Sequence, residues 1–188
     1  MAASYCPACG STGETRAAQR GDRDVMECAT CGLALETSRP LPYKPIDEIL
    51  FADDSDLLRL AIEDVLVEKK LARSVLAAGD GQQFLDLFTR RLREGRPVGL
   101  VMLDVQMPVM NGFNAAVAMR AIERAFELAA PTPLMFFSSQ PCDDMARKVL
   151  HFCGRAIYVN KVASPNLGEL ATRVEQVLVN LLTKGSAT

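Results

Sequence analysis

From Ile46 onward the chain alternates short apolar runs with stretches whose apolar residues recur at helical spacing. Ile46 to Ala52 reads as a first strand ending in Asp53-Asp54, and Ser55 to about Lys70 as a helix with Leu58, Ile62, Val65 and Leu66 on its inner face. Ser74 to Ala77 predicts a short second strand, and Gly81 to Glu94 a second helix carrying Phe84, Leu87, Phe88 and Leu92. The run from Val98 to Leu103 predicts a third strand buried on both faces, so Asp104 is expected to emerge, displayed, at its carboxyl edge. Pro108 has no amide hydrogen to extend a ladder, and Gly112 frees the backbone before a third helix running to about Ala129. Pro133 to Phe137 and Ala156 to Val159 predict the fourth and fifth strands, with a short helix from Asp143 to Phe152 between them. The last helix takes Ser164 as N-cap and Pro165 at its first position, and repeats Leu167, Leu170, Ala171, Val174, Val177, Leu178, Leu181 and Leu182 on one face. Five βα units of this kind predict an α/β domain with a doubly wound, five-stranded parallel sheet.

The N-terminal part follows a different pattern. Cys6-Pro7-Ala8-Cys9-Gly10 and Cys28-Ala29-Thr30-Cys31-Gly32 are two C-x-x-C pairs with 18 residues between the inner cysteines, inside the spacing of a tetrahedral zinc site. The glycine after each second cysteine suits the positive φ of a tight metal-binding turn. Glu14 to Gln19 and Asp24 to Cys28 predict a hairpin across Arg20-Gly21-Asp22-Arg23. The segment resembles a zinc ribbon, a module too small to fold on its own core, so that Zn²⁺ would supply most of its folding free energy. A dithiol redox pair and plain buried thiols are the competing readings. Pro40, Pro42 and Pro45 then mark a semi-rigid connector. The expected division is a ribbon over 1–35, a linker over 36–45 and the α/β domain over 46–184.

Composition narrows the class of function. The chain has 188 residues, 49% hydrophobic and 23% charged, which fits one sizeable core plus a small appendage. The net charge is −2, and residues 1–45 hold five Lys/Arg against five Asp/Glu, without the basic excess that nucleic-acid phosphates need. No run is long enough to span a bilayer and no export signal precedes the cysteines, so a cytoplasmic protein with no membrane partner is expected. His151, the only histidine, reads as a surface or boundary residue, and Cys142 and Cys153 as small packing residues.

The polar residues that end the predicted strands form a set: Asp53 and Asp54 after the first, Asp104 after the third, Ser138 after the fourth and Lys161 after the fifth. In doubly wound sheets of flavodoxin-like order 2-1-3-4-5 these ends border the ligand site. Three carboxylates brought together repel, and a hard divalent cation such as Mg²⁺ removes that cost. Singly, each residue has a plainer reading: Asp53-Asp54 as a helix cap, Ser138 as a buried hydroxyl, Lys161 as a solvated cation, Tyr158 as a half-buried sheet aromatic.

With Asp104 followed by Met107-Pro108-x-Met110-x-Gly112, residues 46 to 184 resemble the receiver domain of two-component response regulators. The resemblance implies that Asp104 is the aspartate that accepts a phosphoryl group. It implies Mg²⁺ held directly by Asp54, Asp104 and the Gln106 backbone carbonyl, with Asp53 acting through water. Lys161 and Ser138 would serve the phosphoryl group, and Tyr158 would be the aromatic switch. Phe152, Arg155, Tyr158 and Val162 would belong to the readout face. A histidine kinase or phosphotransfer protein would be the donor and a protein the downstream partner, the only chemistry being self-catalysed phosphorylation and dephosphorylation. Three features depart from the family pattern: Val162 follows Lys161 where a cis-proline is usual, Asn111 replaces an aspartate, and Asp104 and Ser138 are far apart, implying a longer third helix or loop. A phosphorylation-independent scaffold, and a nucleic-acid-binding ribbon using Arg16, Arg20 and Arg23, are the alternatives.

Overall fold

The computed structural model describes residues 3–20, 23–35, 44–162 and 166–185. A three-stranded antiparallel sheet is built from β1 (Ala3–Cys6), β2 (Ser11–Arg20) and β3 (Arg23–Cys28), in that order. The expected hairpin is β2 with β3, in register from Thr15 opposite Cys28 to Arg20 opposite Arg23. Strand β1 is an addition: it pairs Ala3–Cys6 with Glu14–Ser11. Four residues with no alternation carry too little local signal to be read as a strand.

The second sheet is parallel throughout, in the order β5-β4-β6-β7-β8, formed by β4 (Ile46–Ala52), β5 (Ala72–Ala78), β6 (Leu100–Leu103), β7 (Leu134–Ser138) and β8 (Ala156–Asn160). Counted from β4, this is the expected order 2-1-3-4-5. Helices α1 (Asp56–Glu68), α2 (Gly81–Arg93), α3 (Gly112–Ala125), α4 (Asp144–Cys153) and α5 (Leu167–Gly185) connect and follow the strands. Strands β6 and β7 are buried throughout and β4 from Glu48 to Ala52, with Phe51, Phe136 and Phe137 at zero exposure. Phe51 meets Phe137 edge-on at 6.1 Å and Phe113 meets Phe136 at 5.1 Å. Each such side chain contributes about 1.5–3 kcal/mol by leaving water.

Side chains fix where the helices start. Ser55 accepts from Leu58 N–H, Asp80 from Gln82 and Gln83, Asn111 from Asn114 and Asp143 from Ala146. Each cap stabilises its helix by about 0.5–2 kcal/mol. Asn111 thus does the capping an aspartate would do. Ser164 and Pro165 lie outside the described residues, and Asn166 takes the cap of α5, its Oδ1 accepting from Glu169 N–H at 2.9 Å. Between α3 and β7, Glu123 accepts from Thr132 N–H at 2.7 Å and pairs with buried Arg120. No helix among the described residues is long and apolar enough to cross a membrane.

Candidate functional site

Register decides which residues meet. Ala52 lies beside Leu103 and Leu103 beside Phe136, so the next residues of β4 and β6 leave the sheet at neighbouring tips. The backbone continues the ladder by one step, Asp104 N–H donating to Ala52 O at 2.8 Å. Asp53, Asp54 and Asp104 each present a carboxylate oxygen, the three lying within 4.8 Å of one another. Lys161, from the end of β8, extends its Nζ to 2.5 Å from Asp53 Oδ2 and 3.1 Å from Asp104 Oδ1, 5.3 Å from the centre of the Phe137 ring.

The three acids are held differently. Asp53 is fully buried, its Oδ1 accepting from Ser55 N–H at 3.0 Å and its carbonyl from Arg59, which also pairs with Asp56. Asp54 is exposed. Asp104, expected on display, is only 4% exposed. The Lys161 ammonium lies against it, and burial pushes its carboxyl above the ordinary value; Lys161 opposes the rise and Asp53 adds to it. Gln106 is exposed and borders, with Asp54, Val105, Met107, Pro108, Asn111 and Phe113, an open cleft of about 580 Å³.

The donor set suits a hard divalent cation. Three carboxylates face one ammonium, and Asp104 Oδ1 is buried without an aligned hydrogen bond, so it has a lone pair to give.

Ser138 is fully buried, and its Oγ accepts from Gln140 N–H at 3.1 Å. Tyr158 is 2% exposed, less than the half-buried aromatic of the plainer reading, and donates its hydroxyl to Gln140 O at 2.8 Å. Of the residues named for the readout face, Phe152, Arg155 and Val162 are exposed and Tyr158 is buried. The Lys161 loop forms without a cis peptide. Lys161 N–H donates to Ser138 O at 2.7 Å, while Asn160 Oδ1 accepts from Val162 N–H at 2.8 Å and its Nδ2 donates to Gln140 O at 3.1 Å. Asn160, Gln140 and Arg59 are therefore part of the site. An asparagine two residues before Val162 is a recognisable turn signal, whereas nothing local marks Gln140 or Arg59.

The four cysteines converge as well. Cys6 and Cys31 Sγ lie 3.5 Å apart, Cys9 and Cys28 3.7 Å apart, and all four lie within 4.8 Å of one another. Four sulfurs at the usual Zn–S length of about 2.3 Å stand roughly 3.8 Å apart in a tetrahedron, so the group fits one zinc ion. Gly10 N–H donates to Cys6 O and Gly32 N–H to Cys28 O, closing two like turns, with φ of +68° and +74° at the glycines. Hydrogen bonding from Cys31 draws Cys6 and Cys28 down, Cys28 to about 6, while Cys28 and Cys6 push Cys31 up. Such crowding is relieved when one divalent ion replaces the protons. Cys142 and Cys153 are not members of this group, although Cys142 Sγ lies 3.8 Å from Thr30 O in the second turn.

A family model of the response regulator receiver domain matches residues 49–175, and the chain belongs to that family, which places it in two-component signalling. It is 30% identical over 105 residues to the autoinducer 1 sensor kinase/phosphatase LuxN of Vibrio harveyi, covering 54% of this chain and 11% of that protein. It is 29% identical over 92 residues to a protein-glutamate methylesterase/protein-glutamine glutaminase of Methanococcus maripaludis, covering 49% of this chain and 22% of that one. The chain thus spans less than a quarter of either relative. The receiver domain of the histidine kinase CKI1 from Arabidopsis thaliana, complexed with Mg²⁺ and BeF₃⁻, shares the fold at TM-score 0.55 and 21% identity, over 70% of this chain and 89% of that one.

Proposed function

We propose that the protein is a response regulator whose Asp104 accepts a phosphoryl group from a histidine kinase or phosphotransfer protein and thereby changes its affinity for a protein partner. The observation that carries this reading is the convergence of Asp53, Asp54 and Asp104 within 4.8 Å, with Lys161 at 2.5 and 3.1 Å from two of them. An Asp104 oxygen forms a bond to phosphorus as the bond from phosphorus to the donor's imidazole nitrogen breaks. The electron pair leaves with the imidazole, which takes up a proton. Asp54, Asp104 and the Gln106 backbone carbonyl would hold Mg²⁺, with Asp53 acting through water, and the ion would supply positive charge against the carboxylates and the incoming oxygens.

Lys161 then follows the phosphoryl oxygens, exchanging its contact with Asp104 for one with the new anion. Ser138 rotates from Gln140 to donate its hydroxyl to the same group, and Tyr158, which shares Gln140 with it, registers the change. Residues 1–35 act as a zinc ribbon whose Cys6, Cys9, Cys28 and Cys31 hold Zn²⁺ and which serves protein recognition, with 36–45 as its connector to a receiver over 46–184. Residues 36–43 of that connector lie outside the described residues. Binding of nucleic acid is not favoured, since Arg16 is engaged by Glu27 at 2.7 Å.

The test is incubation with Mg²⁺ and a small phosphoryl donor such as acetyl phosphate, followed by intact mass measurement. One phosphoryl adduct is expected, lost in Asp104→Asn and in the presence of a chelator of Mg²⁺. Persistence of the adduct in Asp104→Asn would overturn the assignment.

A further inference from the structure

The cysteine-bearing turns are built into the receiver. Gly10 N–H closes the first turn on Cys6 O and leaves the carbonyls of Pro7 and Ala8 to other donors. Those donors come from β8 and α5: Asn160 N–H reaches Ala8 O at 2.9 Å, Arg173 Nε reaches Pro7 O at 2.8 Å and its Nη2 reaches Ala8 O at 2.8 Å. The remaining arm, Nη1, donates to Asn160 O at 2.9 Å. Arg173 is 5% exposed and Ala8 not at all. Strand β8 is the edge of the sheet, so Ala8 takes a pairing position that the edge would otherwise offer to water or to another chain. At the second turn, Thr30 O lies 3.8 Å from Cys142 Sγ.

The residues that hold the turn are also wired to the acid site. Asn160 precedes Lys161 and shares the Gln140 carbonyl with Tyr158, while Gln140 N–H holds Ser138 Oγ. Lys161, which directly follows Asn160, and Ser138, two hydrogen bonds from it through Gln140, are the two groups that turn toward a phosphoryl group, and both are thereby tied to the pair that grips Ala8. A ribbon with little core of its own keeps the Pro7–Ala8 geometry only while the cysteines are gathered, so docking and metal binding reinforce each other.

We propose that the first cysteine turn is an intramolecular ligand of the β8–α5 edge, docked in the unphosphorylated arrangement through Arg173 and Asn160, so that Zn²⁺ at the cysteines and a phosphoryl group at Asp104 oppose one another. This rests on the roles assigned above to Asp104 and to the four cysteines. Linkage makes the opposition reciprocal: whatever factor a phosphoryl mimic takes from zinc affinity, zinc takes from affinity for the mimic.

The experiment uses the full chain. Zinc affinity is measured by competition with a chromophoric chelator, with and without Mg²⁺ and beryllofluoride, and beryllofluoride affinity is measured on zinc-loaded and zinc-free protein. Zinc affinity is expected to fall about 5-fold or more with the mimic bound, within the usual range of coupling between sites, and the reciprocal measurement to give the same factor. Equal zinc affinities with both ligands bound overturn the coupling while leaving the proposed function intact, and a rise overturns its direction. Failure of beryllofluoride to bind overturns the coupling together with the phosphorylation reading, and failure of zinc to bind overturns it together with the cysteine-site reading. Arg173→Lys keeps the charge but not the three-armed donor. In this variant both ligands are expected to bind with the coupling factor close to one, and a factor equal to the wild-type value overturns the role of Arg173.

Discussion

Gly112 stands against Asp104: a Cβ built on Gly112 would lie 2.0 Å from the carbonyl oxygen of Asp104 and 2.9 Å from its carbonyl carbon. The glycine is required by close approach, with the first turn of α3 resting on the backbone that carries the Asp104 carboxylate. Because the obstacle is backbone, no rotamer change can relieve it. Gly112→Ala is expected to destabilise the protein by about 1–3 kcal/mol, the range of overpacking. In urea this shows as a lower midpoint at unchanged slope. Labelling of Asp104 by acetyl phosphate should fall as well, because α3 and Asp104 can no longer keep their present separation.

Asp104 also makes stability depend on pH. Burial, partly opposed by Lys161 and reinforced by Asp53, raises its carboxyl above the ordinary 3.8. Folding therefore favours the protonated form, and stability is lost as pH rises from 3.8 through the raised value of the folded state. Asp104→Asn has no such charge. Without Mg²⁺ its melting temperature is expected to exceed that of the wild type at neutral pH, and the difference to close below about pH 3.8, where the acid is neutral in both states. A scan of melting temperature against pH checks both the sign and the window.

Magnesium should reverse that order. A ligand that binds only the folded state stabilises it by about 2.7 kcal/mol at a hundredfold excess over its dissociation constant. The wild type is expected to gain this much with Mg²⁺, while Asp54→Asn and Asp104→Asn gain little. Equal gains in all three would place the ion elsewhere.

The cysteine site predicts a local effect. Cys31→Ser, or stripping the metal with a chelator, is expected to remove amide protection from β1, β2 and β3 and from the Asn160 amide that Ala8 O holds, while β4 to β7 stay protected, because the parallel sheet has its own fully buried phenylalanines. Hydrogen exchange read by mass spectrometry separates the two regions.

How much of this was legible in the chain follows from the range of each interaction. Strand β4 is legible from its Ile49 to Ala52 half, because a doubly buried stretch writes its burial into consecutive apolar side chains, while its start carries Asp47 and Glu48. The strand-end acids and Lys161 are legible too, since chain order in a βαβ sheet fixes which tip each occupies. The enclosure of Asp104, the turning of Ser138 toward Gln140 and the grip of Arg173 on Pro7 depend on contacts between residues distant in sequence. Arg173 lies 166 positions from Pro7, on a helix whose neighbouring apolar residues mark only its inward face. No periodicity distinguishes an arginine that docks another element from one that is merely solvated.

Asn160 braces the turn that carries Lys161: its Oδ1 accepts from Val162 N–H while its Nδ2 donates to Gln140 O. Asn160→Ala removes both side-chain bonds and leaves the backbone amide that reaches Ala8. At about 0.5–1.5 kcal/mol for each bond, the fold should lose roughly 1–3 kcal/mol and remain intact. The ammonium, however, loses the constraint that aims it between Asp53 and Asp104. Removing a charge-stabilising donor outright slows a reaction about 100- to 1000-fold, and Lys161→Ala is expected to fall in that range. Asn160→Ala keeps the charge but loosens its aim, so its labelling rate should lie between, about tenfold below the wild type, with Mg²⁺ affinity unchanged because none of the three acids is touched. Stopped-flow labelling with acetyl phosphate at saturating Mg²⁺ gives both rates. A wild-type rate in Asn160→Ala would mean that Phe137 and the acids alone hold Lys161 in place.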